Sequence, residues 1–370
     1  MPIKIFHTAD LHIGMKFNGY PDSIKEKLQQ ARLEVLQKMV LKANEENCNL
    51  FVVAGDLFTH IKGIHKKTIV QTAEYLEEFQ GECVLVLPGN HDYENDMIDL
   101  WKTFREKAND KTIFLNQEVP VSLTDYGLDA TIYPAPCHSK QSYTNNIDWI
   151  AEHEVDPEHI SIGIAHGSLQ GVSPDPDSKY FLMSSEELEN LPIDLWLLGH
   201  THVVYPAYES LTDWRVFNPG TPEPDGLDCQ HHGHAWLINV DERKRITANL
   251  VSTGMYRFLD KSYPIKDSDD LDRLQDSLLK EAPETTIARI RLAGRVSDDT
   301  YSYRKEIFKT LEQALAHLII DDFNLGIRIT PEKISQEFTE GSFPQQLLKA
   351  LADDEDAMQM AYELIMGVKK

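Results

Sequence analysis

Short apolar runs rich in Val, Ile, Leu and aromatic residues recur along the N-terminal part of the chain: 2–8 (PIKIFHT), 49–55 (NLFVVAG), 82–88 (ECVLVLP), 160–165 (ISIGIA) and 194–199 (DLWLLG). Each is of strand length and ends in a polar cluster, the pattern of buried strands whose ends project side chains from one edge of a sheet. Helical patterns at 22–46, 64–80 and 145–154 lie between them, and this alternation predicts an α/β layered core. From about residue 203 strand-like pieces follow one another (VVYPAYES, WRVFNP, HAWLINV, RITANLV), separated by turn residues, and predict a second sheet packed on the first.

The pattern turns polar and acidic around SYPIKDSDD, which reads as a linker. The expected organisation is a catalytic-sized domain at 1–255, a linker at 256–268, a small α/β domain at 269–342 and C-terminal helices at 343–370. The small domain reads as a helix at 269–280, a strand in TIARIRLAG, a helix across 300–317 and a strand in NLGIRI. Helices in EKISQEF, SFPQQLLKALA and DAMQMAYELIMG close the chain, and Met358, Met360, Leu364 and Met366 in the last either fill a core or dock a partner.

Composition narrows the class. Hydrophobic residues at 41% and charged residues at 26% suit a globular protein with a sizeable core. The opening MPIKIFHTAD resembles no secretory signal and no apolar stretch is of membrane-spanning length, so a cytoplasmic protein without membrane association is expected. Cys48, Cys83, Cys137 and Cys229 are scattered without a CxxC pair, which argues against a disulfide framework. The 60 acidic against 36 basic residues give a charge of -24 and exclude a polybasic nucleic-acid binder, while acidic side chains are also what hard cations require.

Chemistry collects at the strand ends. Asp10-Leu11-His12 follows the first run, Gly55-Asp56 the second and Gly89-Asn90-His91-Asp92 the third; later runs end in His166-Gly167 and Gly199-His200-Thr201-His202. Carboxylate, imidazole and amide groups at one sheet edge suit a pair of divalent cations. Two such ions about 3.5–4 Å apart can clamp the attacking and leaving oxygens of a phosphoryl transfer.

In this order and context the five clusters resemble the calcineurin-like metallophosphoesterase superfamily over roughly residues 1–250, with its DxH, GD, GNHD, H and GHxH blocks intact. The resemblance implies a four-layer αββα sandwich of two mixed sheets followed by a small α/β cap domain. It implies that Asp10, His12 and His202 hold one metal ion, that Asn90, His166 and His200 hold the other, and that Asp56 bridges them. A metal-activated water would then hydrolyse the ester, with His91 protonating the leaving oxygen or stabilising the transition state. Asp92 would either orient His91 or cap a helix beginning near Asn95.

Within the superfamily, HTADLHIGMKF, GDLF, LPGNHD and FNPGTPEPDGLDCQHHGHAWLINVD look most like the SbcD-type DNA-repair exonucleases. That likeness implies a manganese-dependent exonuclease and endonuclease (Mg2+, Fe2+ or Zn2+ being the alternatives). It further implies a homodimer, with helices at 95–107 as the expected contact, and an SbcC-type coiled-coil ATPase partner. Several relatives carry His or Asp where this chain has Thr59, followed here by His60. Two basic clusters could meet DNA phosphates or simply be solvated: Lys16 with Lys62, His65, Lys66 and Lys67, and Arg289 with Arg291 on one face of a strand. Cys229, His231, His232 and His234 are too tightly spaced for a standard zinc site. Competing readings are a dimetal phosphoesterase acting on cyclic nucleotides, another small phosphodiester or a phosphoprotein, and a noncatalytic adaptor.

Overall fold

The five apolar runs form strands in the computed structural model, which describes residues 2–95, 98–175, 177–229 and 231–368. The chain divides into two units, 1–258 and 259–370. In the first, β1 (Ile3–Thr8), β2 (Leu50–Ala54), β3 (Cys83–Leu87) and β4 (Thr112–Phe114) run parallel. The chain then adds β5 (Val121–Ser122), β6 (Ala130–Ala135), β7 (Ile160–His166), β8 (Leu195–Gly199), β9 (Val204–Tyr205), β10 (Ser210–Thr212), β11 (Val216–Pro219), β12 (His234–Val240) and β13 (Ile246–Ser252). These strands build two mixed sheets, one ordered β10-β13-β12-β1-β2-β3-β4 and the other β5-β6-β7-β8-β11-β9.

The period-2 geometry of a strand sorts the side chains into layers. Ile3 and Ile5, Leu50 and Val52, and Leu85 and Leu87 point from the first sheet into a core shared with Ile162, Ile164, Leu195 and Leu197 of the second. Phe6, Phe51, Val53, Val84 and Val86 point the other way, under α1 (Asp22–Glu45), α2 (Lys66–Glu77) and α3 (Leu100–Arg105). Tyr133, Trp196 and Leu198 cover the outer face of the second sheet with Leu188 of α4 (Ser185–Asn190). The result is the four-layer αββα arrangement. Among the described residues, no helix is long and apolar enough to cross a membrane.

The structure corrects several expectations. The five polar clusters come from both sheets, because β7 and β8 belong to the second while β12 and β13 pair into the first. The helix expected at 145–154 is one short 3-10 segment, Asp148–Glu152. Strand β6 escaped notice because Pro134 interrupts its apolar run. It is tolerated because β5 pairs only with Thr131 and Ile132, so the ladder on that side has ended before Pro134. In the segment 95–107, Leu100, Trp101 and Phe104 are buried in the chain's own core; residues 96 and 97 lie outside the described residues.

The second unit also begins earlier than expected. Most of the supposed linker is β14 (Arg257–Pro264), the first strand of a sheet ordered β14-β15-β16 with β15 (Thr286–Val296) and β16 (His317–Ile327). Helix α6 (Asp298–Ala314) makes the crossover between parallel β15 and β16, and with α5 (Ser268–Leu279) covers one face through Leu271, Leu274, Ile307 and Leu311. The last helices, α7 (Pro331–Glu337), α8 (Phe343–Ala350) and α9 (Glu355–Val368), share a separate cluster of Ile329, Ile334, Phe338, Leu348 and Met358. The expected boundary at 342/343 therefore falls inside one packed group.

Arg289 and Arg291 do lie two apart on one face of β15, but both guanidinium groups are engaged by Asp260 of β14. That pairing gives the two adjacent cations a shared partner within the sheet. The two guanidinium donors hold the Asp260 carboxyl down at about 2, below its ordinary 3.8. Since the folded value is depressed, the contribution is complete above the ordinary value and is lost as pH falls through about 2. Asp260→Asn is expected to lower stability by ~1 kcal/mol at pH 7, the upper end for partly exposed pairs, in urea unfolding of the full chain. The difference from wild type should vanish near pH 2.

Candidate metal centre

The parallel strands β1, β2 and β3 of one sheet and β7 and β8 of the other end together, and the residues just past these ends form one buried cluster. Sharp backbone reversals aim the side chains inward. Asp10, His12, Asp56 and His200 all take positive φ (55°, 47°, 52° and 96°), a region that costs a non-glycine residue about 1 kcal/mol or more. Two glycines permit the close approach. A Cβ on Gly55, itself at φ 93°, would lie 2.0 Å from His166 Nδ1, and one on Gly89 would lie 2.2 Å from Asp56 Oδ1.

Two donor sets meet at Asp56. In the first, His12 Nε2 lies 3.0 Å from His202 Nε2 and 3.9 Å from Asp10 Oδ1, and His202 Nε2 lies 3.8 Å from that same oxygen. In the second, Asn90 Oδ1 lies 3.1 Å from both His166 Nε2 and His200 Nδ1. Asp56 Oδ2 stands between them, 3.7 Å from His12 Nε2 and 3.4 Å from His166 Nε2. Asp10 Oδ1 is buried without a hydrogen-bond partner among the described residues, and an unpaired buried carboxylate oxygen is costly unless a cation completes it. Carboxylates, imidazoles and one amide without a thiolate therefore fit a pair of divalent ions.

The electrostatics of the metal-free cluster follow from crowding. Burial pushes Asp10 up to about 6, an effect that Asp56 reinforces and His166 and His202 oppose. Burial works against ionising Asp56 too, but His166, His12 and His91 outweigh it and hold this carboxyl well below the usual range. For His166, burial favours the neutral ring, yet Asp56 and Asp10 raise it to about 9. His200 is held down at about 3 by burial and by His166.

Each support has an identifiable source. His166 Nδ1 donates to Ala54 O at 2.8 Å, which aims Nε2 at the centre. The His91 main-chain N–H donates to Asp56 Oδ1 at 2.8 Å, and its ring Nδ1 donates to Thr59 O at 3.2 Å. Position 59 thus acts through its main-chain carbonyl, and a hydroxyl side chain there costs nothing. The His91 ring lies 5.0 Å from His12 and, with His12 and Asp56, within ligand reach of one ion, so geometry alone does not set it apart from the metal ligands.

Asp92 does neither of the things expected of it. Its two carboxylate oxygens accept the Gly89 and Phe58 main-chain N–H groups at 2.7 and 2.9 Å, and α3 starts eight residues later with Asp99 as its cap. Asp92 thereby staples the loop after β2 to the loop after β3. In the Cys229, His231, His232 and His234 group, the His231 ring is engaged by the main chain. His231 donates from Nε2 to His202 O at 2.9 Å and accepts the Gly233 N–H at Nδ1, so neither nitrogen is available to a separate ion.

Sequence reasoning missed Asp225 and Arg32. Asp225 Oδ2 lies 3.0 Å from His202 Nδ1. Arg32 is fully buried on α1 and donates to Leu11 O at 2.6 Å and Glu223 O at 3.1 Å. The signal for Arg32 was its place on the apolar face of α1, between Leu28 and Leu36.

Fold and donor set together define a metal-dependent phosphoester hydrolase, with the reacting groups at the carboxyl ends of parallel strands. The model of the calcineurin-like phosphoesterase family matches residues 3–204, and the chain belongs to that family, which uses divalent metal ions. A curated relative is the uncharacterized metallophosphoesterase YhaO of Bacillus subtilis (strain 168), 24% identical over 209 residues that make up 54% of this chain and 48% of that protein. The chain thus matches about half the length of that relative.

Because protons on Asp10 and His166 occupy ligand atoms, ion binding must displace them. Mn2+ affinity is expected to rise with pH between about 6 and 9, with protons released. Calorimetric titration in buffers of different ionisation enthalpy checks this; an affinity independent of pH would contradict it.

Proposed function

We propose that the chain is a manganese-dependent DNA phosphodiesterase of DNA repair, acting as exonuclease and endonuclease in the manner of the SbcD-type enzymes. The observation that carries this reading is the concentration of exposed cations beside the metal centre of a chain whose net charge is -24. Lys16 follows the first motif, and Lys62, His65, Lys66 and Lys67 follow Asp56; all five are exposed. Lys16, Lys25, His65 and Lys67 line a cavity of about 590 Å³.

Lys66 and Lys67 occupy the first turn of α2, which contains no acidic residue and no side-chain cap. Cations at the positive end of the helix dipole are unfavourable in the free protein, and an incoming phosphate relieves both. A polyanionic backbone fits this arrangement better than a small ester does.

Two bound divalent ions would supply Lewis-acid polarisation of the phosphoryl oxygens and a water of lowered pKa. Asp10, His12 and His202 would hold one, Asn90, His166 and His200 the other, and Asp56 both. The neutral Asn90 amide limits the negative charge facing a phosphodiester. His91, with Nδ1 committed to Thr59 O, keeps Nε2 for the leaving oxygen, and an imidazole can give or take a proton near neutral pH. The donor set is compatible with Mn2+. A homodimer and an SbcC-type ATPase complete the proposal. On α9, Met360 and Leu364 lie one turn apart and are each 66% exposed, which supports a docking role for the last helices.

With Mn2+, the purified chain should degrade linear DNA, and His91→Ala should lower kcat by 10²-fold or more, the scale of a lost general acid. Lys66→Glu with Lys67→Glu should raise KM for DNA and flatten its salt dependence while sparing a small chromogenic diester. Turnover of a cyclic nucleotide or a phosphopeptide with DNA left intact would move the assignment to a small-substrate esterase.

A further inference from the structure

We infer that Asp225 is a positioning residue for His202, and that through His202 it supports one half of the metal centre and not the other. This rests on the two-ion reading of the cluster. His202 has its two ring nitrogens in different settings: Nε2 faces His12 Nε2 and Asp10 Oδ1, while Nδ1 lies 3.0 Å from Asp225 Oδ2. A carboxylate at Nδ1 selects the tautomer with the proton on that atom. The lone pair of Nε2 is then directed into the cluster, and the ligand becomes more basic.

His202 needs such a support more than its neighbours do. Asp10 and His12 are enclosed by packing, with side-chain exposures of 0% and 3%, whereas the His202 side chain is 33% exposed. It borders a cavity of about 530 Å³ that Asp225 also lines. In the other half of the centre, His166 is fixed by the main-chain oxygen of Ala54, which no substitution removes.

Asp225 is itself held. The Arg32 guanidinium lies 3.9 Å from its Oδ2 while donating to Leu11 O and Glu223 O. Leu11 separates the ligands Asp10 and His12, so one buried cation ties the first motif to the loop that carries Asp225. Glu223 cannot replace Asp225, because its carboxylate accepts the Met255 and Tyr256 N–H groups at 2.7 and 2.8 Å. Asp225 sits at a cavity wall with its side chain 17% exposed, so its truncation opens the wall to water and leaves the core intact.

The test is Mn2+ titration of the chelator-stripped full-length chain by calorimetry, with thermal melting of the stripped protein in parallel. Wild type should bind two ions. Asp225→Ala should bind one as wild type does and the other 10- to 100-fold more weakly, the usual effect of losing a group that orients a ligand. Its melting temperature without metal should fall, because the buried Arg32 loses the carboxylate 3.9 Å away, so the diagnostic is the weakening of one ion and not the other. Asp225→Asn, which still offers an oxygen to Nδ1–H, should fall between the two, and Asp228→Ala, at an exposed position three residues on, should match wild type. Two ions bound by Asp225→Ala with wild-type affinities would overturn the inference while leaving the two-ion reading in place. Equal weakening of both ions would also overturn it, as the mark of a general structural role. A wild type that binds no Mn2+ would remove the metal reading and this inference with it.

Discussion

The constraint on which the rest depends is the burial of two carboxylates, Asp10 and Asp56, at the ends of strands from one sheet, directly against imidazoles from the other. Both are completely or almost completely buried, at 0% and 1% exposure. An isolated carboxylate in such a place would simply protonate. Asp56 stays ionised because His166, His12 and His91 surround it, and Asp10 is left with an oxygen that nothing in the described residues satisfies. The centre is therefore incomplete as a piece of protein, and the missing charge is positive.

Incompleteness of this kind has to be held in place, and the surrounding main chain does most of the holding. Left-handed backbone at Asp10, His12, Asp56 and His200 turns the chain sharply off the strand ends, at an energetic cost in each case. Main-chain groups offset it: Asp10 and His12 N–H donate to Gly55 and Asp56 carbonyls at 3.1 and 3.0 Å, and Asp92 draws the Phe58 and Gly89 N–H groups together. The packed core between the sheets holds the strand ends from which the donors project.

What could be read from the sequence was whatever depends on the side chain alone. Five buried strands announced themselves as apolar runs, and the ligands were legible because each follows its strand directly. Two sheets were expected, but their membership was misread, since an apolar run does not reveal its pairing partner and β12 and β13 return to β1 from far along the chain. Strand β14 was hidden by its polar, half-exposed composition. Main-chain contributions were invisible as well: Thr59 matters through its carbonyl, and Asp92 through the N–H groups it collects. Arg289 and Arg291 were correctly placed on one face, but periodicity does not show that Asp260 waits opposite.

The charge of -24 and a phosphate substrate are reconciled by where the charges sit. Electrostatic interactions between exposed groups fade over about 8 Å at physiological ionic strength, so a substrate entering the cleft feels its immediate neighbours and not the sum over the chain. On the proposed nuclease reading those neighbours would include Lys16, Lys62, Lys66 and Lys67, with the imidazoles of His60 and His91, whose rings stand 6.1 Å apart. The buried acids Asp10 and Asp56 face inward, where any cation they bind cancels them, and Asp225 at the cavity wall is paired with His202 and Arg32. Acidic segments such as Asp267 to Asp270 belong to the other unit, where Asp267 caps α5 and Asp270 pairs with Arg273. Net charge thus describes how the molecule as a whole behaves in solution, and the sign at the centre is set by the side chains nearest to it, among them two carboxylates that need a metal.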